Sequence, residues 1–214
     1  MASITATLLT LPTVLVIGHS VEGRSIEAVH VGGKGPVVLV VGCIHGNECA
    51  ALPVIRELER VHPAHEDLWV IPEANPDGTA HDARLNAHGV DLNRNFPAGW
   101  ISGPHDGYYP GPRALSEPES RALLAFIRRI RPAITIWFHQ PQTVVRAWGR
   151  SRASARAYAR AVGMRYRTEI WPTGAITRWQ NGQGETSFVV ELAPGPLDAA
   201  GIRRHVAALL HLSA

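Results

Sequence analysis

Val37-Val38-Leu39-Val40-Val41-Gly42-Cys43-Ile44-His45-Gly46-Asn47-Glu48 is the stretch on which the fold turns. Five apolar, largely β-branched residues follow the turn cluster Gly32-Gly33-Lys34-Gly35-Pro36. That pattern predicts a strand buried on both faces, which belongs inside a sheet covered by helices. Downstream, Ala50 to Val61 carries helix formers with Leu52, Ile55 and Leu58 at helical spacing, and Leu68 to Ile71 has the length and composition of the next strand. Upstream, Ile26 to Val31 reads as another strand. The order is strand, turn, helix, strand.

The rest of the chain extends the alternation. Ser116-Glu117-Pro118-Glu119 reads as a helix start, with Ser116 as N-cap and acids near the positive end, leading to a helix that stops near Arg131 before Pro132. Ala133 to Phe138 is a strand delivering His139, Ser151 to Val162 is helical, Phe188 to Leu192 is a strand carrying Glu191, and Pro196 to Leu212 is the last helix. Between them, Glu73 to Pro112 is rich in Asn, Asp, Gly, Pro and His with little periodicity, as expected of functional loops pinned to a scaffold. The expected architecture is three-layer α/β/α with a mostly parallel sheet and a site at the carboxyl ends of strands. One domain over residues 1–214 is expected from the length.

Composition narrows the function classes. The 214 residues carry 21 basic and 18 acidic side chains, with Lys34 the only lysine, and no basic block interleaved with aromatics, so nucleic acid is not an expected partner. No apolar run approaches a membrane span. The stretch Ile4 to Ile17 lacks a preceding basic residue and reads as a turn feeding a strand rather than a signal peptide. Cys43 and Cys49 are too few for a disulfide framework; they are expected to be structural thiols in a cytoplasmic protein.

The chemistry gathers at strand ends. His45 and Glu48, three apart at a helix start, can reach one ion, and His139, polar at the end of an apolar run, is the best third donor. Glu191 interrupts an apolar strand, where burial raises a carboxyl toward the range useful to a general base. Asn75-Pro76-Asp77-Gly78 and the run Arg84 to Pro97, with Asp91-Leu92-Asn93-Arg94-Asn95-Phe96 at its centre, read as an anion-binding loop.

In these motifs and their order, with the lead-in Gly18-His19-Ser20-Val21-Glu22-Gly23-Arg24-Ser25-Ile26, the sequence resembles the zinc carboxypeptidase family, in particular its bacterial murein peptide amidase branch. The resemblance implies a mixed, mostly parallel eight-stranded sheet and one Zn2+ per chain on His45, Glu48 and His139. It implies Glu191 as general base, Arg84 as support for the oxyanion, Asn93 and Arg94 as the grip on a terminal carboxylate, and Asp91 as the acid orienting His45. Two departures stand out. Trp171 takes the place of the family's flexible tyrosine in a segment one residue short. Thr177 and Arg178 fall where the family reads the leaving residue, and an arginine there favours a second carboxylate. A cis peptide is expected at Gln140-Pro141.

The expected function is hydrolysis of a peptide or isopeptide bond next to a carboxy-terminal residue, above all γ-D-glutamyl-meso-diaminopimelate. An N-acyl-amino-acid deacylase of the aspartoacylase or succinylglutamate desuccinylase type, and a non-catalytic binding protein with this fold, are the alternatives. The expected partner is a small peptide or acyl-amino-acid with a free carboxylate, and oligomeric state is not legible.

Overall fold

Strand β3 (Val37–Val41) lies at the middle of the molecule, and its alternating side chains divide the core in two. The computed structural model describes residues 12–63 and 65–212. Val38 and Val40 face helix α1 (Leu52–Leu58), where Val54, Ile55 and Leu58 are fully buried, in a core completed by α4 (Arg152–Val162) and α6 (Ala199–Leu209). Leu39 and Val41 face the opposite layer, built by α3 (Pro118–Ile130) and α5 (Ile176–Gly182). A run apolar on both faces is what two helical layers require.

The sheet has eight strands in the order β1-β2-β4-β3-β5-β8-β6-β7. Its centre, β4 (Asp67–Ile71), β3, β5 (Ile134–His139) and β8 (Thr186–Glu191), is parallel. β1 (Thr13–His19) and β2 (Ser25–Gly32) run antiparallel at one side. At the other, β6 (Val144–Ala147) runs antiparallel to β8 and carries β7 (Arg165–Thr168) in parallel at the edge. Parallel central strands end on one side, so the loop after β3, the tip of β5 and the tip of β8 are neighbours.

Several expectations need correction. Glu73 to Pro112 contains a short helix α2 (Pro76–Ala80) and a 3-10 turn Leu92–Arg94, because Asn75 and Asp91 cap their starts with side-chain acceptors. The N-cap of α3 is Glu117, in extended conformation, and Ser116 instead donates to the Glu117 carboxylate at 2.6 Å. Cys43 and Cys49 are bonded to each other. Cys43 adopts φ 45°, the chain reverses, and the two Cα atoms come within 5.0 Å, so a local bridge forms where a framework was not possible. The Gln140-Pro141 peptide is cis, as expected. Residues 1–11, and with them most of the apolar opening stretch, lie outside the described residues. No helix among the described residues is long and apolar enough to cross a membrane.

Candidate active site

Two motifs far apart in sequence are locked by a glycine. The loops leaving β3 and β4 keep hydrogen bonding past the sheet, with Ala74 N–H to Gly42 O at 3.1 Å and Asn75 N–H to Cys43 O at 3.0 Å. This lays His45-Gly46-Asn47-Glu48 against Asn75-Pro76-Asp77-Gly78. A Cβ on Gly46 would sit 1.9 Å from the carbonyl carbon of Gly78, so only glycine permits the approach. Asp77, fully buried, accepts from Ser20 Oγ at 2.6 Å, Glu22 N–H at 2.9 Å and Arg24 Nη1 at 2.7 Å, which ties the lead-in turn to the same block.

His45, Glu48 and His139 converge at the carboxyl ends of the strands. Their donor atoms lie within 4.8 Å of one another. His45 Nδ1 is 2.9 Å from Glu48 Oε1, His139 Nδ1 is 2.8 Å from Glu48 Oε2, and the two Nδ1 atoms are 3.2 Å apart. Asp91 Oδ1 lies 3.1 Å from His45 Nε2 and can only accept, so Nε2 carries the proton and the Nδ1 lone pair is left for the shared space. Two imidazole nitrogens and a carboxylate, buried and aimed at one point, are a donor set that fits one zinc ion. Without it, burial pushes the Glu48 carboxyl up, but His139 and His45 together outweigh burial and hold it well below the usual range.

Glu191 stands beside this set because β5 and β8 pair His139 directly with Glu191. It is 5% exposed, and its Oε2 has no hydrogen-bond partner. Burial, reinforced by the Glu48 charge, pushes its carboxyl up to about 7, against opposing pulls from Arg146 and His45. A buried carboxyl with one oxygen left free, raised toward neutrality even against a Gln142 backbone hydrogen bond, is a group placed to move a proton.

The loop residues come together less uniformly. Arg84 donates from Nη1 to Glu48 Oε1 and from Nη2 to Asp91 Oδ2, both at 2.8 Å, which puts it in contact with a member of the donor set. Asp91 thus serves His45, Arg84 and the Asn93 N–H (2.9 Å) at once, and although burial pushes its carboxyl up, His45, Arg84 and Arg94 together hold it low. Arg94 donates to Asn93 O at 2.9 Å and has no carboxylate partner among the described residues. Asn93 is buried, accepting from Ile176 N–H at 3.1 Å with its Nδ2 3.4 Å from His139 Nε2. Trp171 is stacked along His139, ring centroids 6.4 Å apart, with its Nε1 unpartnered. Thr177 is buried with an unpartnered Oγ1, and Arg178 donates to the Trp171 carbonyl at 3.2 Å.

Two neighbours escaped the sequence reading. Tyr108, 59% exposed, lays its ring over both Arg84 (5.0 Å) and Arg94 (5.5 Å). Arg146 stands over the Trp171 indole at 5.3 Å and is the cation whose field reaches Glu191. An arginine inside the short run Val144-Val145-Arg146-Ala147 was the available signal.

The family model for zinc carboxypeptidases matches residues 1–187. The chain belongs to this family. Murein peptide amidase A of Escherichia coli K12 is 35% identical over 117 residues, which covers 48% of this chain and 48% of that protein. The chain thus spans about half the length of the curated amidase that it matches. Human carboxypeptidase B is 30% identical over 236 residues, covering 83% of this chain and 57% of that one. Among solved structures, the murein-tripeptide amidase of Escherichia coli O157 superposes with a TM-score of 0.81 at 26% identity, covering 93% of this chain and 90% of that one. In this zinc carboxypeptidase His45, Glu48 and His139 form a group capable of holding one metal ion.

Proposed function

We propose that this zinc carboxypeptidase hydrolyses the amide bond joining a carboxy-terminal residue to a murein peptide, with γ-D-glutamyl-meso-diaminopimelate as the preferred bond and residues 1–214 acting as one catalytic domain. The observation that carries the reading is the buried, unpartnered Oε2 of Glu191 on the strand register of His139, beside a three-donor set that fits zinc. The amidases among the relatives supply the substrate class.

Bound zinc supplies a Lewis acid that polarises water and the scissile carbonyl. His45, Glu48 and His139 hold it, and Asp91 fixes the His45 ring. Glu191 takes the water proton at its free carboxylate oxygen and returns it to the leaving amine, and burial, which disfavours its charged form, suits it to accept a proton. Arg84 exchanges its contact with Glu48 for the developing oxyanion. Arg94, half-buried and without an acidic partner among the described residues, binds the terminal carboxylate, and Asn93 shapes the turn that presents it. Trp171 covers the leaving residue, as an indole can, without donating a phenolic proton. A cytoplasmic place of action, expected from composition, stands in tension with the Cys43–Cys49 bond, since oxidising compartments favour disulfides.

The test is a mass-spectrometric assay of zinc-loaded protein on L-Ala-γ-D-Glu-meso-diaminopimelate. Release of diaminopimelate by the wild type and not by Glu191→Gln is expected. Intact substrate, with hydrolysis of simple acyl-amino-acids instead, overturns the proposal.

A further inference from the structure

We infer that Arg146 and Glu169 form a two-charge receptor for the far end of the leaving residue, selecting a side chain that ends in a second amino-acid centre. This rests on the proposed function and names the side chains that read the substrate.

The placement follows from the sheet. In the antiparallel pairing of β6 with β8, Val144 lies opposite Glu191 and Arg146 opposite Val189. Alternate residues share a face, so Arg146 projects on the Glu191 side of the sheet, two residues, or about 7 Å, farther along. Its guanidinium covers the Trp171 indole at 5.3 Å, and that indole is stacked along the His139 ring. His139, Trp171 and Arg146 therefore form one wall leading away from the metal ligands.

This wall carries polar atoms left unused among the described residues: Glu191 Oε2, Trp171 Nε1 and Arg146 Nε are all buried without a hydrogen-bond partner there. Buried polar groups are normally paired, and their concentration along one wall points to a ligand that completes them. The Arg146 side chain is 11% exposed, donates from Nη2 to Gln142 Oε1, and meets Glu169 Oε2 only at 3.5 Å, beyond good hydrogen-bond length. Glu169 is held by its backbone N–H on Ala147 O at 3.0 Å, while its carboxylate is 45% exposed. A loose pair with one exposed member contributes little to stability.

A cation and an anion side by side match an ammonium and a carboxylate borne on one carbon. The ligand carboxylate completes the Arg146 fork, and its ammonium bonds Glu169. Arg178, tied to the Trp171 carbonyl, is not needed for this recognition. A lysine leaving residue satisfies only Glu169, and a 2-aminopimelate residue satisfies only Arg146.

The experiment compares kcat/KM for L-Ala-γ-D-Glu-X with X as meso-diaminopimelate, L-lysine or L-2-aminopimelate, in wild type, Arg146→Gln and Glu169→Gln, with zinc content and thermal melting as checks of folding. The wild type is expected to prefer diaminopimelate over each by roughly 10- to 100-fold. Arg146→Gln should collapse the preference over lysine, and Glu169→Gln the preference over 2-aminopimelate. Ratios left unchanged by the substitutions, or equal cleavage of all three by wild type, overturn the inference. If Arg146→Gln does not fold, the exposed Glu169→Gln carries the test alone. If the wild type cleaves none of the three, the proposed function fails. Calorimetric binding of free meso-diaminopimelate and lysine to the zinc-loaded protein then decides the inference: a preference abolished by Glu169→Gln upholds it, and no preference overturns it.

Discussion

Removing the charge of Glu191 should stabilise the zinc-free protein by an amount that is absent at pH 4, grows above pH 4.5 and is complete above pH 7. The Glu191 carboxyl stands at about 7 in the folded chain against an ordinary 4.5, chiefly through burial. The folded state therefore holds a proton that the unfolded state has released between these values. Stability is undiminished below 4.5, falls as pH rises through the window, and is reduced in full above 7. At about 1.4 kcal/mol per factor of ten, the deficit is about 3 kcal/mol at pH 8. Glu191→Gln keeps the shape and removes the ionisation, so it should be more stable than wild type by up to that amount at pH 8 and by almost nothing at pH 4. His205 works in the opposite sense: burial, aided by Arg204, holds it at about 4, so its contribution is complete above 6.5 and fades as pH falls toward 4. The two trends overlap, so the difference between variant and wild type is the quantity to follow, by urea unfolding in chelator at a series of pH values. A difference that does not change with pH would refute the reasoning, because the Glu191 proton would then be bound no more tightly in the folded chain than in the unfolded one.

Other substitutions test the scaffold of the site. Gly46→Ala places a methyl 1.9 Å from the Gly78 backbone, which cannot yield as a side chain can, and should cost about 3 kcal/mol or more; a melting temperature within a degree of wild type would show the two loops to be independent. Asp91→Asn keeps the volume but removes the charge behind the His45 bond and turns one of the two acceptor oxygens, which serve His45 and Arg84, into a donor, so zinc affinity measured by chelator competition should drop roughly 10- to 100-fold, and an unchanged affinity would remove the Asp91 charge from that role. Ser20→Ala deletes the 2.6 Å bond to buried Asp77 and should destabilise by about 1–3 kcal/mol in urea unfolding, whereas no loss would mean that Glu22 N–H and Arg24 satisfy Asp77 unaided.

What the sequence disclosed follows from how local each signal is. Val37 to Val41 was legible because two-sided burial writes an unbroken apolar run, and the observed strand has the same ends. His45 and Glu48 were visible as a motif, and His139 and Glu191 as polar residues closing apolar strands. The two strands beyond β8 were not visible: Arg165-Tyr166-Arg167-Thr168 is largely exposed and shows no apolar alternation, and Val144–Ala147 is only four residues long. Arg146 could not be connected with Glu191 from sequence, since the link is an antiparallel register between residues more than forty positions apart. The Cys43–Cys49 bond was missed for a similar reason: it depends on a backbone reversal at a non-glycine residue, which composition does not announce.

The pairing of His139 with Glu191 across two parallel strands has a consequence for how such a protein can change its diet. The separation between metal ligand and carboxylate is set by the hydrogen-bond ladder in the middle of the sheet, the part of the molecule least free to drift. Trp171, by contrast, lies on a loop, and Arg146 and Glu169 lie on or beside the two short strands at one side of the sheet, β6 and β7. On the proposed function, hydrolytic machinery and taste for a leaving group reside in separate mechanical compartments. A lineage can remodel the edge to accept new substrates while the reacting atoms keep their spacing, and a search for altered specificity in the laboratory should begin at that edge.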